Sequence, residues 1–250
     1  SATILGKDCW REGHLIRRDV GYVAGGVRLY PWLTPRRGLN ILSKIHGRDL
    51  RPKGLELADR FCLEPDLVVR KMSRGNRQKV ALVLALAHSP QTMILDEPTS
   101  GLDPLMQDAL MMCLRERAKE GHTVMFSSHT LSEVEALCDR IAIIRDGKIV
   151  EDSPLSELKA QAPRQIVITL REHQTSAEIG WPHGVDVKYV PGNLKEQSSS
   201  VALMVPSSVR NRTCIVELLG TAAPFMEWAA GQNFADIVIG PPALEVLFRR

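Results

Sequence analysis

Two adjacent carboxylates, Asp96 and Glu97, close a short apolar run, Met93-Ile94-Leu95. A run of that length and composition reads as a buried strand, which brings the acids to its C-terminal edge, where open α/β sheets bind ligands. The first acid in such a place can hold Mg²⁺, directly or through water. The second, one residue on, can orient and polarise a water for attack on a phosphate. An apolar strand that simply ends in solvated acids has the same pattern, so the pair acquires meaning only from its neighbours.

Three neighbouring segments supply that context. Directly after the acids comes Thr99-Ser100-Gly101-Leu102-Asp103-Pro104, a glycine turn in which Asp103 can N-cap a helix that has proline at its first position. Upstream lies Met72-Ser73-Arg74-Gly75-Asn76-Arg77-Gln78-Lys79. Ser73 there caps a helix, and Gly75 leaves backbone amides uncovered. A helix N-terminus of this kind carries partial positive charge and suits a phosphate, although capping alone would account for Ser73. Downstream, a β-branched and apolar stretch at 123–126 ends in Ser127-Ser128-His129. His129 thereby sits at a second strand end, as a candidate phosphate contact or an ordinary structural histidine.

The elements that must position these residues alternate. Short strands are expected at 2–5, 20–23, 93–95 and 123–126, and helices at 36–45, 53–62, 73–88, 104–120 and 132–138. The helix at 73–88 is apolar on nearly every side after its first turn and is expected to be buried. Asp146-Gly147 marks a hairpin between strands at 141–144 and 148–150. Strand–helix alternation with polar residues at strand ends predicts an α/β domain with a mainly parallel sheet. Composition shifts near Gln161-Ala162-Pro163, which divides the chain into domains 1–160 and 161–250. The second reads as a small α+β appendage. Its expected strands are 165–170, 184–190, 200–205 and 235–239, its helices 211–219 and 243–249, with a polar loop at 192–200.

Bulk properties exclude several classes. Aromatic content of 5% and a formal net charge of +3 give neither a stacking platform nor an electrostatic footprint for nucleic acid. Cys9, Cys62, Cys113, Cys138 and Cys214 are scattered, with no C-x-x-C pair, and read as small apolar fillers in a reducing compartment. The longest apolar stretch, residues 80–87, is far short of the about 20 residues that span a bilayer. The first residues show no secretory signal.

In this order, the four segments resemble the nucleotide-binding domain of the ABC ATPase family, the ATP-hydrolysing subunits of ABC transporters. Residues 72–79 resemble the family signature, Asp96 and Glu97 the Walker B aspartate and catalytic glutamate, Ser100 to Asp103 the D-loop, and His129 the switch histidine. The resemblance covers about residues 1–158 and implies a P-loop NTPase-like fold with a helical subdomain, lacking its N-terminal part, plus the C-terminal appendage. It implies ATP and Mg²⁺ as cofactors, with Asp96 on the metal and Glu97 and His129 catalytic. Ser73, Arg74, Gly75, Asn76, Gln78 and Asp103 would act on nucleotide or across a head-to-tail dimer with a second nucleotide-binding subunit. Separate membrane permease subunits would complete the transporter, placing the chain on the cytoplasmic face of the membrane.

Departures from the family pattern shape the expectation. Arg74 and Asn76 stand where the common signature has Gly and Gln, a variant that resembles exporter-type ATPases. Gly25 stands at the Q-loop glutamine position. Tyr30 and Trp32 lie where a membrane subunit docks in relatives, as interface anchors or as core. Neither Gly6-Lys7 nor Gly147-Lys148 completes the phosphate-binding G-x-x-x-x-G-K-[ST]. The chain therefore reads as starting just past that loop, and as inactive alone. A non-catalytic subunit that lends its signature in trans is the alternative. A soluble ABC ATPase acting on DNA or ribosomes is disfavoured, because long heptads and a second cassette are absent.

Overall fold

The computed structural model describes residues 1–172, 174, 179–189, 212–218 and 222–242. The chain divides into two compact units, Ser1–Leu137 and Cys138–Arg250. The compositional boundary at 160–161 falls inside the second unit.

Unit 1 begins with a small antiparallel pair, β1 (Thr3–Ile4) and β2 (Lys7–Asp8), followed by a short helix α1 (Gly13–Ile16). Its centre is a parallel sheet of β3 (Val20–Val23), β4 (Thr92–Asp96) and β5 (Thr123–Ser127), in the order β3-β4-β5. Between β3 and β4 run α2 (Pro35–His46), α3 (Arg51–Arg60) and α4 (Arg74–Leu86). Helix α5 (Pro104–Lys119) joins β4 to β5, and α6 (Leu131–Leu137) follows β5.

Helices α2, α4 and α5 each start at a side-chain cap. Thr34 accepts from the Arg37 amide ahead of Pro35, Ser73 from the Asn76 amide, and Asp103 from the Met106 amide ahead of Pro104. Such caps satisfy amides that the first turn leaves without intrahelical acceptors. Helix α2 ends at Gly47, as its C-terminal stop signal predicts.

Register sorts the sheet into two faces. Val23, Leu95 and Phe126 lie in one row and Gly21, Met93 and Val124 in another. The apolar members of both rows enter a core shared with Leu39 of α2, Leu57 of α3, Val80, Leu82, Val83 and Leu86 of α4, and Leu110 and Leu114 of α5. Helix α4 is buried through Gln78, Lys79 and most positions beyond, as its all-round apolar pattern predicts. The alternate row, Tyr22–Ile94–Met125, leaves Tyr22 63% and Met125 66% exposed.

Unit 2 opens with an antiparallel ribbon, β6 (Arg140–Arg145) and β7 (Lys148–Pro154), turning at Asp146-Gly147 with φ of 52° and 74°. Positive φ at both central positions is what an Asp-Gly hairpin turn requires. Helix α7 (Leu155–Gln161) follows, burying Leu155 and Leu158. A four-stranded antiparallel sheet of β8 (Arg164–Thr169), β9 (Val185–Tyr189), β10 (Thr213–Leu218) and β11 (Asp236–Pro242) has the order β11-β8-β10-β9. Helix α8 (Ala222–Ala230) sends Phe225 and Ala229 into a core with Ile166, Ile168, Cys214, Val216 and Leu218.

The structure corrects the expected helix at 211–219: residues 213–218 are strand β10, paired antiparallel with both β8 and β9. Thr213, Ile215 and Val216 are β-branched, and pairing on both edges outweighs the helical reading of a short apolar run. The expected strand at 200–205, helix at 243–249 and loop at 192–200 lie outside the described residues. Cys113 and Cys214 are buried fillers, whereas Cys62 is exposed at a positive φ of 48° beyond α3. Among the described residues, no helix is long and apolar enough to cross a membrane.

Candidate active site

The acids sit where the strand pattern predicts. Asp96 is the last residue of β4, and Glu97 begins the turn beyond it. The turn closes by hydrogen bonds from the Ser100 amide to the Glu97 carbonyl and from the Leu102 amide to the Thr99 carbonyl. Glu97 takes a φ of 44°, a left-handed conformation uncommon for a residue with a side chain. Its carboxylate Oε1 lies 3.6 Å from Nδ1 of His129, which stands just past the end of β5. Parallel strands thus deliver Asp96, Glu97 and His129 to one edge of the sheet.

Two residues without an expected site role complete this edge. Ser127, the register partner of Asp96, donates from Oγ to Asp96 Oδ1 at 2.5 Å. The same Oγ accepts from the Glu97 amide at 2.9 Å. The amide of Gly25, in the loop after β3, donates to Asp96 Oδ2 at 3.1 Å. A sequence signal for Ser127 existed in its strand position: it stands at the end of β5 as Asp96 does at the end of β4. Gly25 was marked only by standing at the Q-loop glutamine position, and its contact to Asp96 carries no side-chain signal, because a backbone amide donates whatever the residue type.

The signature segment forms a second group. Ser73 uses its Oγ as acceptor for the Asn76 amide at 3.2 Å, leaving its own proton free to donate. The first-turn amides of Arg74 and Gly75 have no intrahelical acceptor. The Arg74 guanidinium donates to Ser100 Oγ at 2.9 Å, and the buried Gln78 amide donates to the Pro98 carbonyl at 3.1 Å. A Cβ on Gly75 would lie 2.5 Å from the Gly101 carbonyl oxygen, so the helix tip rests directly on the turn that follows the acids. Asp103 lies at the end of that turn with its carboxylate on the Met106 amide at 3.1 Å. The structure joins signature and acids through residues 98–101, not by contact between Ser73 and the carboxylates.

Tyr30 and Trp32 stack with centroids 5.5 Å apart, and both are exposed, at 69% and 51%. They are surface, which removes the core alternative for this pair.

The chain is 32% identical over 184 residues to the bacitracin transport ATP-binding protein BcrA of Bacillus licheniformis, covering 72% of this chain and 60% of that protein. A family model described as an AAA domain, putative AbiEii toxin, Type IV TA system, matches residues 64–135. The solved ATP-binding subunit of an ABC transporter superposes with a TM-score of 0.59 at 27% identity, over 63% of this chain and 68% of that one. A dimeric ATP-binding cassette in a post-hydrolysis state, bound to ADP and Pi, superposes with a TM-score of 0.53 at 25% identity, over 60% of this chain and 69% of that one. The chain belongs to the ABC ATPase family.

As in other ABC ATPases, the fold is a P-loop NTPase-like α/β domain. Within this ABC ATPase the acid edge and helix α4 both belong to unit 1. The chain spans about 60% of the length of the bacitracin protein.

Proposed function

We propose that this chain is the ATP-hydrolysing part of an ABC transporter. The observation that carries the reading is the sheet edge itself: Asp96 and Glu97 end β4, with His129 Nδ1 3.6 Å from the Glu97 carboxylate. Asp96 is exposed and offers the hard carboxylate oxygens that Mg²⁺ prefers, so the residue present fits that ion. Mg²⁺ bound there would neutralise charge on the phosphate oxygens of ATP. Glu97 would align a water and accept its proton, while His129 would donate to the γ-phosphate. The free hydroxyl of Ser73 and the amides of Arg74 and Gly75 would serve ATP held by a second copy, with Asn76, Gln78 and Asp103 supporting them from the same loop system. The dimeric, ADP-bound neighbour supports that arrangement.

Residues 1–160 form the ATPase domain in this reading and 161–250 an accessory domain. The exposed Tyr30–Trp32 pair would meet a membrane permease subunit at the cytoplasmic face of the membrane, with motion driven by closure on ATP and opening after hydrolysis. The test is turnover of Mg-ATP by the full-length protein containing these residues. Glu97→Gln is expected to abolish turnover while ATP binding persists, and near-normal turnover in that variant would remove Glu97 as the base.

One observation favours a second reading, in which the chain lends its signature helix to a competent partner. A polypeptide limited to these 250 residues contains no G-x-x-x-x-G-K-[ST]. Such a polypeptide is expected to bind ATP weakly and to show no steady-state turnover alone. If it raised the turnover of a partner ATPase while Glu97→Gln changed nothing, the second reading would replace the first.

A further inference from the structure

The acid pair is held in place by two groups to which the motif pattern assigns no role, the Ser127 hydroxyl and the Gly25 amide. Both oxygens of Asp96 are engaged: Oδ1 by the Ser127 hydroxyl at 2.5 Å and Oδ2 by the Gly25 amide at 3.1 Å. The Ser127 oxygen simultaneously receives the Glu97 amide at 2.9 Å. Glu97 sits at a φ of 44°, a conformation that persists for a residue with a side chain only when its surroundings impose it. It is from this conformation that the Glu97 carboxylate comes within 3.6 Å of His129.

We propose that Ser127 is a positioning residue for hydrolysis, acting with the Gly25 amide as a clamp on Asp96 and Glu97. The proposal rests on the reading of those acids as the ATPase pair. Its chemistry requires a group that donates and accepts at one atom, which a hydroxyl does and a methyl does not. Thr keeps that atom, Val has Thr's shape without it, and Ala removes it. Gly25 acts through absence of a side chain. A Cβ there would lie 2.7 Å from Asp96 Oδ2, and no left-handed φ stands in the way of alanine. The carboxylate, as the free end of a side chain, is what would shift.

The experiment compares Ser127→Ala, Ser127→Val, Ser127→Thr and Gly25→Ala in the full-length protein, with Mg-ATP as substrate. Ala and Val at 127, and Ala at 25, are expected to lower kcat by about 10- to 100-fold, since misplacement by about an ångström has effects of that size. They should also raise the Mg²⁺ concentration for half-maximal rate, with KM for ATP within about twofold. Ser127→Thr is expected to stay within about threefold of the parent. A separate readout is hydrogen exchange at the Glu97 amide, expected to accelerate about tenfold in Ser127→Ala and Ser127→Val but not in Ser127→Thr. With an active parent, unchanged kcat and Mg²⁺ dependence in Ser127→Ala overturn the proposal, as does equal loss in the Thr and Val variants. If the parent shows no turnover, the ATPase reading fails by itself. The exchange data still decide the clamp: unchanged exchange in Ser127→Ala overturns it, and acceleration cured by Thr upholds it.

Discussion

The three-stranded sheet of unit 1 and the four-stranded sheet of unit 2 are built to opposite plans. In unit 1 three parallel strands start in register and end within one residue of one another, so their C-terminal residues gather at one edge. Asp96 and Ser127 close adjacent strands in register, and Glu97 and His129 follow them into the loops. In unit 2 the antiparallel strands β8 and β10 reverse direction at every step, which scatters strand ends to both sides of the sheet. Its inward row, Ile166, Ile168, Cys214, Val216 and Leu218, is apolar and packs on Phe225 and Ala229. Trp228 adds an aromatic cluster with Phe225, Trp181 and Phe234 at centroid distances of 5.4 to 5.8 Å. Parallel pairing concentrates polar groups for chemistry, whereas this antiparallel sheet spends its side chains on packing.

The contrast is sharpest in activity. Glu97→Gln in the full-length protein should lower ATP turnover by at least about 100-fold, whereas Glu227→Gln on the exposed face of α8 should change it less than twofold. A phosphate-release assay measures both, and a comparable loss in the two variants would erase the distinction.

Core truncation tests whether the units also differ in cooperativity. Leu110→Ala and Ile168→Ala, each at a fully buried position, should cost about 2 to 5 kcal/mol. Denaturant unfolding followed by two probes should show each substitution lowering the transition of its own unit. A single shared transition would mean that the two cores melt together.

Acid sensitivity should belong to unit 1. Burial, then the neighbouring His46 ring and Arg48, push His88 down to about 4, against the opposing backbone of Val20 and carboxylate of Asp19. The His46 ring lies tilted against it at 4.6 Å, with Arg18 also facing His46. Because the folded value lies below the unfolded value of about 6.5, the unfolded chain binds more protons between those limits. The contribution is therefore complete above about pH 6.5 and is lost as pH falls toward 4. The midpoint of unit 1 should fall across that window, and His88→Leu should flatten the fall. An equal slope in the variant would assign the sensitivity to other groups.

The smallest effects lie at the surface. Asp103→Ala removes the cap of α5 and should cost about 1 kcal/mol. Arg36→Ala breaks an exposed, two-pronged pair with Asp66 and should lower the unfolding midpoint less than Asp103→Ala does, by an amount that shrinks in salt. A larger loss for Arg36 than for Asp103 would reverse that order.

Much of unit 1 was legible in the sequence, and the reasons are local. Strand β3, the caps at Ser73 and Asp103, the Gly47 stop and the buried character of α4 all follow from residues within a few positions of one another. The second unit was less legible. Strand β10 carries a short apolar run whose type is settled by pairing with β8 and β9, which no local pattern contains. Helix α8 escaped notice because Pro224 interrupts its first turn and Ala-rich stretches give weak periodicity. At the acid edge, the motif residues were visible by type and order, but Ser127 and Gly25 act through a hydroxyl and an amide whose importance depends on three-dimensional proximity. Cys62 shows the converse: its type suggested burial, and its position past α3 exposes it.

The in-register pairing of Asp96 with Ser127 has a consequence for how this stretch can change over time. Side chains alternate between faces along a strand, so inserting one residue in β5 would turn Ser127 away and bring Phe126 opposite Asp96, and deleting one would move Phe126 off the core-facing row. Gaps are thus intolerable between residues 123 and 127, even though Met125 in the same strand is exposed and free to vary in type. At this edge the chain can exchange its letters far more readily than it can change their spacing.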